Sequence, residues 1–267
     1  MSVLLPALAM SAYLIATAAV LLRLFHPAGP SFKLTFSAAI VGIIVHMLHL
    51  AGSIFTEQGQ NFSLLNVSSL LSWMITVAVT LTALRTPTIL LLPVVYGFAA
   101  LMQLTILLTP SGTQLLPLDA NPSLLAHILL AFIAYVLLIM ATLYSFQVSY
   151  ISYKLKHKNF TAVSQFLPPL LQAEALQFRL LLVGTLLLGL ALFSGAVFTD
   201  NWLSKANLHK NLLSSVAFMV FAVLCWGHAR LGWRGRTAIS MTLVGSILLT
   251  LGYFGSRFVR EVLLGSL

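Results

Sequence analysis

Carboxylates are nearly missing from this chain: in 267 residues there are five Asp and Glu against fourteen Lys and Arg. So few acids leave little for hydrated divalent ions, for proton-relay chemistry or for hydrolysis by paired carboxylates. Cysteine is scarcer still. Cys225 stands alone, which excludes a disulfide framework and a CxxC redox pair, and without a CxxCH the chain is not itself a c-type cytochrome. Neither a nucleotide-binding glycine loop nor a nucleophile elbow is present, so the residues point to no enzyme.

What fills the chain is apolar. Hydrophobic residues make up 60% and charged residues 7%, with a mean hydropathy of +1.01, a balance that soluble domains do not have. A membrane-spanning helix needs about 20 apolar residues, and eight stretches qualify, at about 2–22, 34–54, 64–84, 88–108, 123–150, 179–199, 211–229 and 237–256. The reading is an all-α, polytopic bundle of about eight transmembrane helices forming one domain in the lipid bilayer. The net charge of +9 then reports orientation, and no nucleic-acid partner is needed to explain it. Ten basic residues, Arg23, Lys33, Arg85, Lys154, Lys156, Lys158, Arg179, Arg230, Arg234 and Arg236, fall on one side, and Lys205, Lys210, Arg257 and Arg260 on the other. The richer side is expected in the cytoplasm, with both chain ends external. The N-terminal apolar run has no preceding positive charge and reads as an uncleaved first span.

The stretch from Asn121 to Tyr150 organises the rest. Asn121 is expected to cap the helix and Pro122 to occupy its first position. From His127, the residues Ala131, Ala134, Tyr135, Ala141, Thr142, Ser145 and Ser149 share one face with the imidazole, which should point at other helices. An ionisable ring there marks a functional site; the plain alternative is a histidine bonded to its neighbours. In the second span Thr35, Ala38, Gly42, His46, His49 and Ser53 step along one face, so His46 and His49 should project together. His46 lies eight residues from the outer end, roughly 12 Å deep at 1.5 Å per residue. In the fourth span Pro93 is expected to kink the helix. Between the fifth and sixth spans, Lys154–Lys158 suits anionic headgroups, and 166–177 reads as a short helix lying in the interface. The loop Asp200–Lys210 carries Trp202, Lys205, His209 and Lys210. His228 lies at the opposite edge, and His26 and His157 read as solvated.

Imidazoles gathered on one side without carboxylates suit an iron porphyrin. Iron accepts one or two neutral imidazoles, the ring wants apolar and aromatic walls, and its propionates want cations near water. His46, His49, His127 and His209 are the ligand candidates. Trp202 offers a stacking surface, and Lys205, Lys210 and Arg257 offer partners for propionates.

Three segments then carry a resemblance: HMLHLAGSIFTEQGQNFSLLNVSSLLSW from His46 to Trp73, LLAHILLAFIAYVLLIMATLYSFQ at the start of the fifth span, and WGHARLGWRGRTAISMTLVGSILLTLGYFGSRF near the end. With SLLN, LLLP-VY and GWRGR, they resemble the cytochrome c assembly protein family of CcsA and CcmC type, on its bacterial inner-membrane, HemX-like side. The resemblance implies an eight-span bundle that binds b-type haem non-covalently toward the external side. It matches His127 to the external histidine ahead of a tryptophan-rich loop and His46 to the histidine of an early span. That loop is shortened here to Asp200-Asn201-Trp202 and Lys205, and no histidine follows His228. The family likeness therefore implies haem binding, storage or presentation, with other membrane or cytochrome-maturation proteins as partners. A cofactor-free scaffold or regulator is the competing reading; a solute transporter lacks the inverted repeat and intramembrane charges it would need.

Overall fold

The computed structural model describes residues 3–24, 26, 29–57, 59–86, 88–109, 115–116, 122–157, 167–198 and 205–258, with the side chains of 205–207 excepted. Within them the chain is helical almost throughout. Seven helices are long and apolar enough to cross a membrane, and an eighth, of 17 residues, is shorter. The chain divides into two compact units, Met1–Leu116 with Tyr153–Pro169, and Pro117–Ser152 with Leu170–Leu267.

The first unit holds α1 (Leu4–Leu21), α2 (Phe32–Ile54), α3 (Leu64–Ala83) and α4 (Leu92–Leu108). α1 packs on α2 and α4, and α3 packs on both of these. Ala9, Ala12, Ala16 and Ala19, all buried, form a small-residue stripe that lets neighbouring backbones approach. Gly42 goes further. A Cβ there would sit 2.8 Å from Cε1 of Tyr13, so its absence lets the Tyr13 ring pack directly against α2. Between α2 and α3 the chain forms two short antiparallel strands, β1 (Phe55–Thr56) and β2 (Gly59–Asn61), and β3 (Leu115–Leu116) adds to β2. Ser63 caps α3 by accepting from the Asn66 backbone N–H. The Asn66 side chain then ties the region together by donating to the Ser53 and Asn61 carbonyls.

The second unit holds most of α5 (Pro122–Lys156), with α6 (Leu170–Phe198), α7 (Lys205–Leu231) and α8 (Gly235–Thr250). A π-helical turn, Leu251–Gly255, and a last turn, Ser256–Phe258, continue α8. Its core is Leu138, Leu181, Leu188, Phe221, Leu224 and Leu249. Polar contacts add specificity: Thr142 bonds Ser246, and the Tyr135 hydroxyl meets Thr250 at 3.1 Å, both joining α5 to the α8 segment.

Several boundaries depart from the sequence reading. Pro93 falls at the first turn of α4, where it needs no donor, so it starts the helix instead of kinking it. The interfacial helix expected over 166–177 is absent from Leu170 onward, because α6 begins at Leu170, directly after Pro168-Pro169, and runs unbroken. Prolines ahead of a helix favour this start, and the apolar pattern then carries it for 29 residues. α7 begins at Lys205, which places His209 and Lys210 on a helix and not in a loop. Ser149, expected on the packed face of α5, is exposed, whereas Ala134, Ala141, Thr142 and Ser145 are buried. Asn121 and Trp202 lie outside the described residues.

Candidate functional site

His127 sits in the second turn of α5 and is half-buried. Its Nδ1 lies 2.9 Å from the Ser194 hydroxyl on α6. That hydroxyl donates to the Ala191 carbonyl at 2.9 Å, so with its one proton committed the Ser194 oxygen accepts from Nδ1–H. Nε2 is then the nitrogen that keeps a lone pair, the form in which imidazole binds a metal.

The second unit also gathers cations and aromatics at Tyr253. Lys210 of α7 is near enough to His127 to interact with it electrostatically. Its ammonium lies 5.8 Å from the centre of the Tyr253 ring, and the Arg257 guanidinium lies 5.2 Å from the same ring. Phe132 meets Tyr253 edge-on at 6.5 Å, and Tyr135 meets Phe254 at 5.8 Å. The π-helical turn sets this geometry. It shifts Tyr253 and Phe254 off the regular α8 face, with Gly252 so close to α7 that a Cβ would come within 3.3 Å of the Lys210 carbonyl. His209, one residue before Lys210, is exposed.

In the first unit His46 is wholly buried. Nδ1 lies 3.2 Å from the Tyr13 hydroxyl and Nε2 lies 2.8 Å from the Ser69 hydroxyl, so both ring nitrogens are engaged. Ligation of a metal by His46 requires release of one of these bonds. His49, one turn along, is half-buried and close enough to act on His46 electrostatically. Trp73 donates to the Ile43 carbonyl at 3.0 Å and is a packing residue. His228 stacks on Phe178 at 3.4 Å and bonds the Trp233 carbonyl, a local lock on the α7–α8 turn. His26 and His157 are exposed, and Cys225 lies 3.8 Å from Thr185. Among the described residues no three of His, Cys, Asp and Glu come together to hold a bare metal ion.

Tyr13, Gln103, Ser194 and Tyr253 were not singled out by the sequence. Gln103 and Ser194 each left a signal, as isolated polar residues inside otherwise apolar spans.

The sequence pattern described as "Cytochrome C assembly protein" matches residues 34–264. The chain belongs to the cytochrome c assembly protein family. Its similarity to the "Inner membrane protein YpjD" of Escherichia coli strain K12 is 38% identity over 258 residues, 96% of this chain and 97% of the relative. The protein of that name in Escherichia coli O157:H7 matches to the same extent. An "Uncharacterized 28.8 kDa protein in nifR3-like 5'region" of Azospirillum brasilense is 39% identical over 142 residues, 52% of each chain. No solved structure matches. The chain is therefore a multi-pass membrane protein of the cytochrome c assembly family.

Proposed function

We propose that this protein is a haem-handling protein of the bacterial inner membrane, with both chain ends external, and that it holds haem non-covalently through His127. The observation that carries this is the convergence, in one unit, of His127 with the two cations that flank Tyr253. An imidazole with its Nδ1 fixed and its Nε2 lone pair kept suits an axial ligand. Lys210 and Arg257 suit propionates, and Phe132, Tyr135, Tyr253 and Phe254 suit the face of a macrocycle. Haem bound there would supply its iron chemistry; the chain's own residues would orient it and neutralise its carboxylates. Family membership and the name of the Escherichia coli relatives support the inner-membrane setting.

His46 is a further ligand candidate by the family likeness, taken within its own unit, and it would have to give up Tyr13 or Ser69 to serve. His209, exposed beside Lys210, and His49 stand behind it, and Trp202 keeps its proposed stacking role. Haem titration of purified protein tests the reading: His127→Ala should abolish or displace the Soret band that wild type develops with haemin. The cofactor-free scaffold has support only at His46, whose nitrogens are already satisfied within the unit. It predicts no Soret band in wild type after haemin is added.

A further inference from the structure

The end of unit two away from Lys210 carries a second set of cations, which the haem reading leaves unused. From Lys210 to Arg230 along α7 is about 30 Å at 1.5 Å per residue, the thickness of a hydrocarbon core. The two sets therefore stand at opposite membrane surfaces.

α7 ends at Leu231 and α8 begins at Gly235, and both Gly232 and Gly235 take the left-handed conformation that so short a turn needs. Trp233 braces it. Its backbone N–H donates to the Gly227 carbonyl at 3.2 Å, and its carbonyl accepts from Nδ1 of His228 at 2.9 Å. The indole lies over Gly227, where an added Cβ would collide with it, and Phe178 of α6 stacks on His228. Around this braced turn Arg230, Arg234 and Arg236 are exposed, as is Arg179, which follows Phe178 on α6. Glu174 is the single acid among the described residues of unit two, and none of these arginines forms an ion pair with it.

The inward bias of basic residues in membrane proteins asks only for charge on one side, and lysine would serve it as well. Here every cation is an arginine, whose planar fork matches a phosphate. What lies beneath the charges is equally specific. On α7, Val216, Met219, Val223 and Trp226 are exposed and step by threes and fours into Arg230, so they form one apolar stripe that ends in a guanidinium. From Val216 to Trp226 is about 15 Å, half of a hydrocarbon core.

We propose that the α7–α8 turn is a binding site for an anionic phospholipid, its phosphate held by Arg230, Arg234 and Arg236 and its acyl chains laid along the stripe beneath Trp226. Such a lipid joins an anion to an apolar tail, which is the combination this face offers to match. A soluble anion would leave the stripe unused. A second copy packed symmetrically on the same face would bring the same arginines and no carboxylate to meet them. The bracing by Trp233, His228 and Phe178 fixes the turn before the lipid arrives, which lowers the ordering cost of binding.

The test is fluorescence quenching by brominated phospholipids, with the full-length chain in phosphatidylcholine vesicles. The Trp226 signal is the fluorescence that Trp226→Phe removes. Brominated phosphatidylglycerol should quench that signal with a binding constant roughly fivefold or more above that of brominated phosphatidylcholine. Arg230→Gln with Arg234→Gln and Arg236→Gln should abolish the preference. Arg234→Gln alone should reduce it, which covers the case in which the triple variant does not fold, and Lys154→Gln with Lys156→Gln should leave it unchanged. Equal quenching by the two lipids in wild type overturns the proposal, as does a preference that survives the triple variant or is lost in the lysine variant. Inorganic phosphate in excess at constant ionic strength should not relieve the quenching; relief would make this a site for soluble anions and overturn the lipid assignment. A Trp226 signal that escapes quenching as the protein-to-lipid ratio rises would place a second copy on the stripe and overturn it too.

Discussion

Ser194 holds His127 through a hydroxyl whose own proton is spent on Ala191, and this arrangement dictates which imidazole nitrogen is available to a ligand. Removing the hydroxyl leaves the ring in place but frees its tautomer and orientation. Loss of such a supporting hydrogen bond costs about ten- to a hundredfold in metal affinity. Ser194→Ala is therefore expected to weaken haemin binding by that order while keeping a Soret band of the same position, as read by titration in detergent.

The cations beside Tyr253 make a separate prediction about which ligand is preferred. If Lys210 and Arg257 pair with propionates, wild type should bind haemin more tightly than its dimethyl ester, whose side chains carry no charge. Charge-assisted hydrogen bonds are worth about 1.5–3 kcal/mol each, so losing both in Lys210→Ala with Arg257→Ala should weaken haemin binding by roughly a hundredfold or more. The double variant should lose much less for the ester. Parallel titrations of the two porphyrins check it.

Two glycines on α2 should respond oppositely to the same change. At Gly42 an added methyl would meet the Tyr13 ring, whereas at Gly52 nothing lies within 4 Å. Gly42→Ala should lower the melting temperature, through the destabilisation of about 1–3 kcal/mol typical of overpacking. Gly52→Ala should be neutral or slightly stabilising, since alanine is up to about 1 kcal/mol the better helix former. Thermal unfolding followed by circular dichroism distinguishes them.

Orientation is open to a direct measurement. Basic residues are concentrated in the connections that would lie inside, so alkaline phosphatase fused after the C-terminus should be active and a fluorescent protein fused there should be dark. The converse pattern would reverse the assignment of every loop.

The fold class was legible because eight apolar stretches leave a chain no other way to satisfy its backbone. Helix ends were less so. Pro93 can kink a helix or begin one, and only the turn at Thr88–Leu91 decides it; the 166–177 segment looks interfacial until α6 proves continuous from Leu170. The small sheet at Phe55–Asn61 went unseen, because two- and three-residue strands carry no period. At the site, His127 and His46 stood out as ionisable groups in apolar spans. Two of their partners did not: Tyr13 and Ser194 meet them across 33 and 67 residues of sequence, and helix periodicity gives faces, not pairings between helices.

The central claim is that His127 is the haem's anchor, and one spectrum addresses it most directly. Wild type and His127→Ala, purified in detergent and matched for circular dichroism and melting temperature, are each titrated with haemin. The account predicts a saturable Soret band in wild type and its loss or displacement in His127→Ala. An identical band of identical affinity in both proteins, or none in wild type, would contradict it.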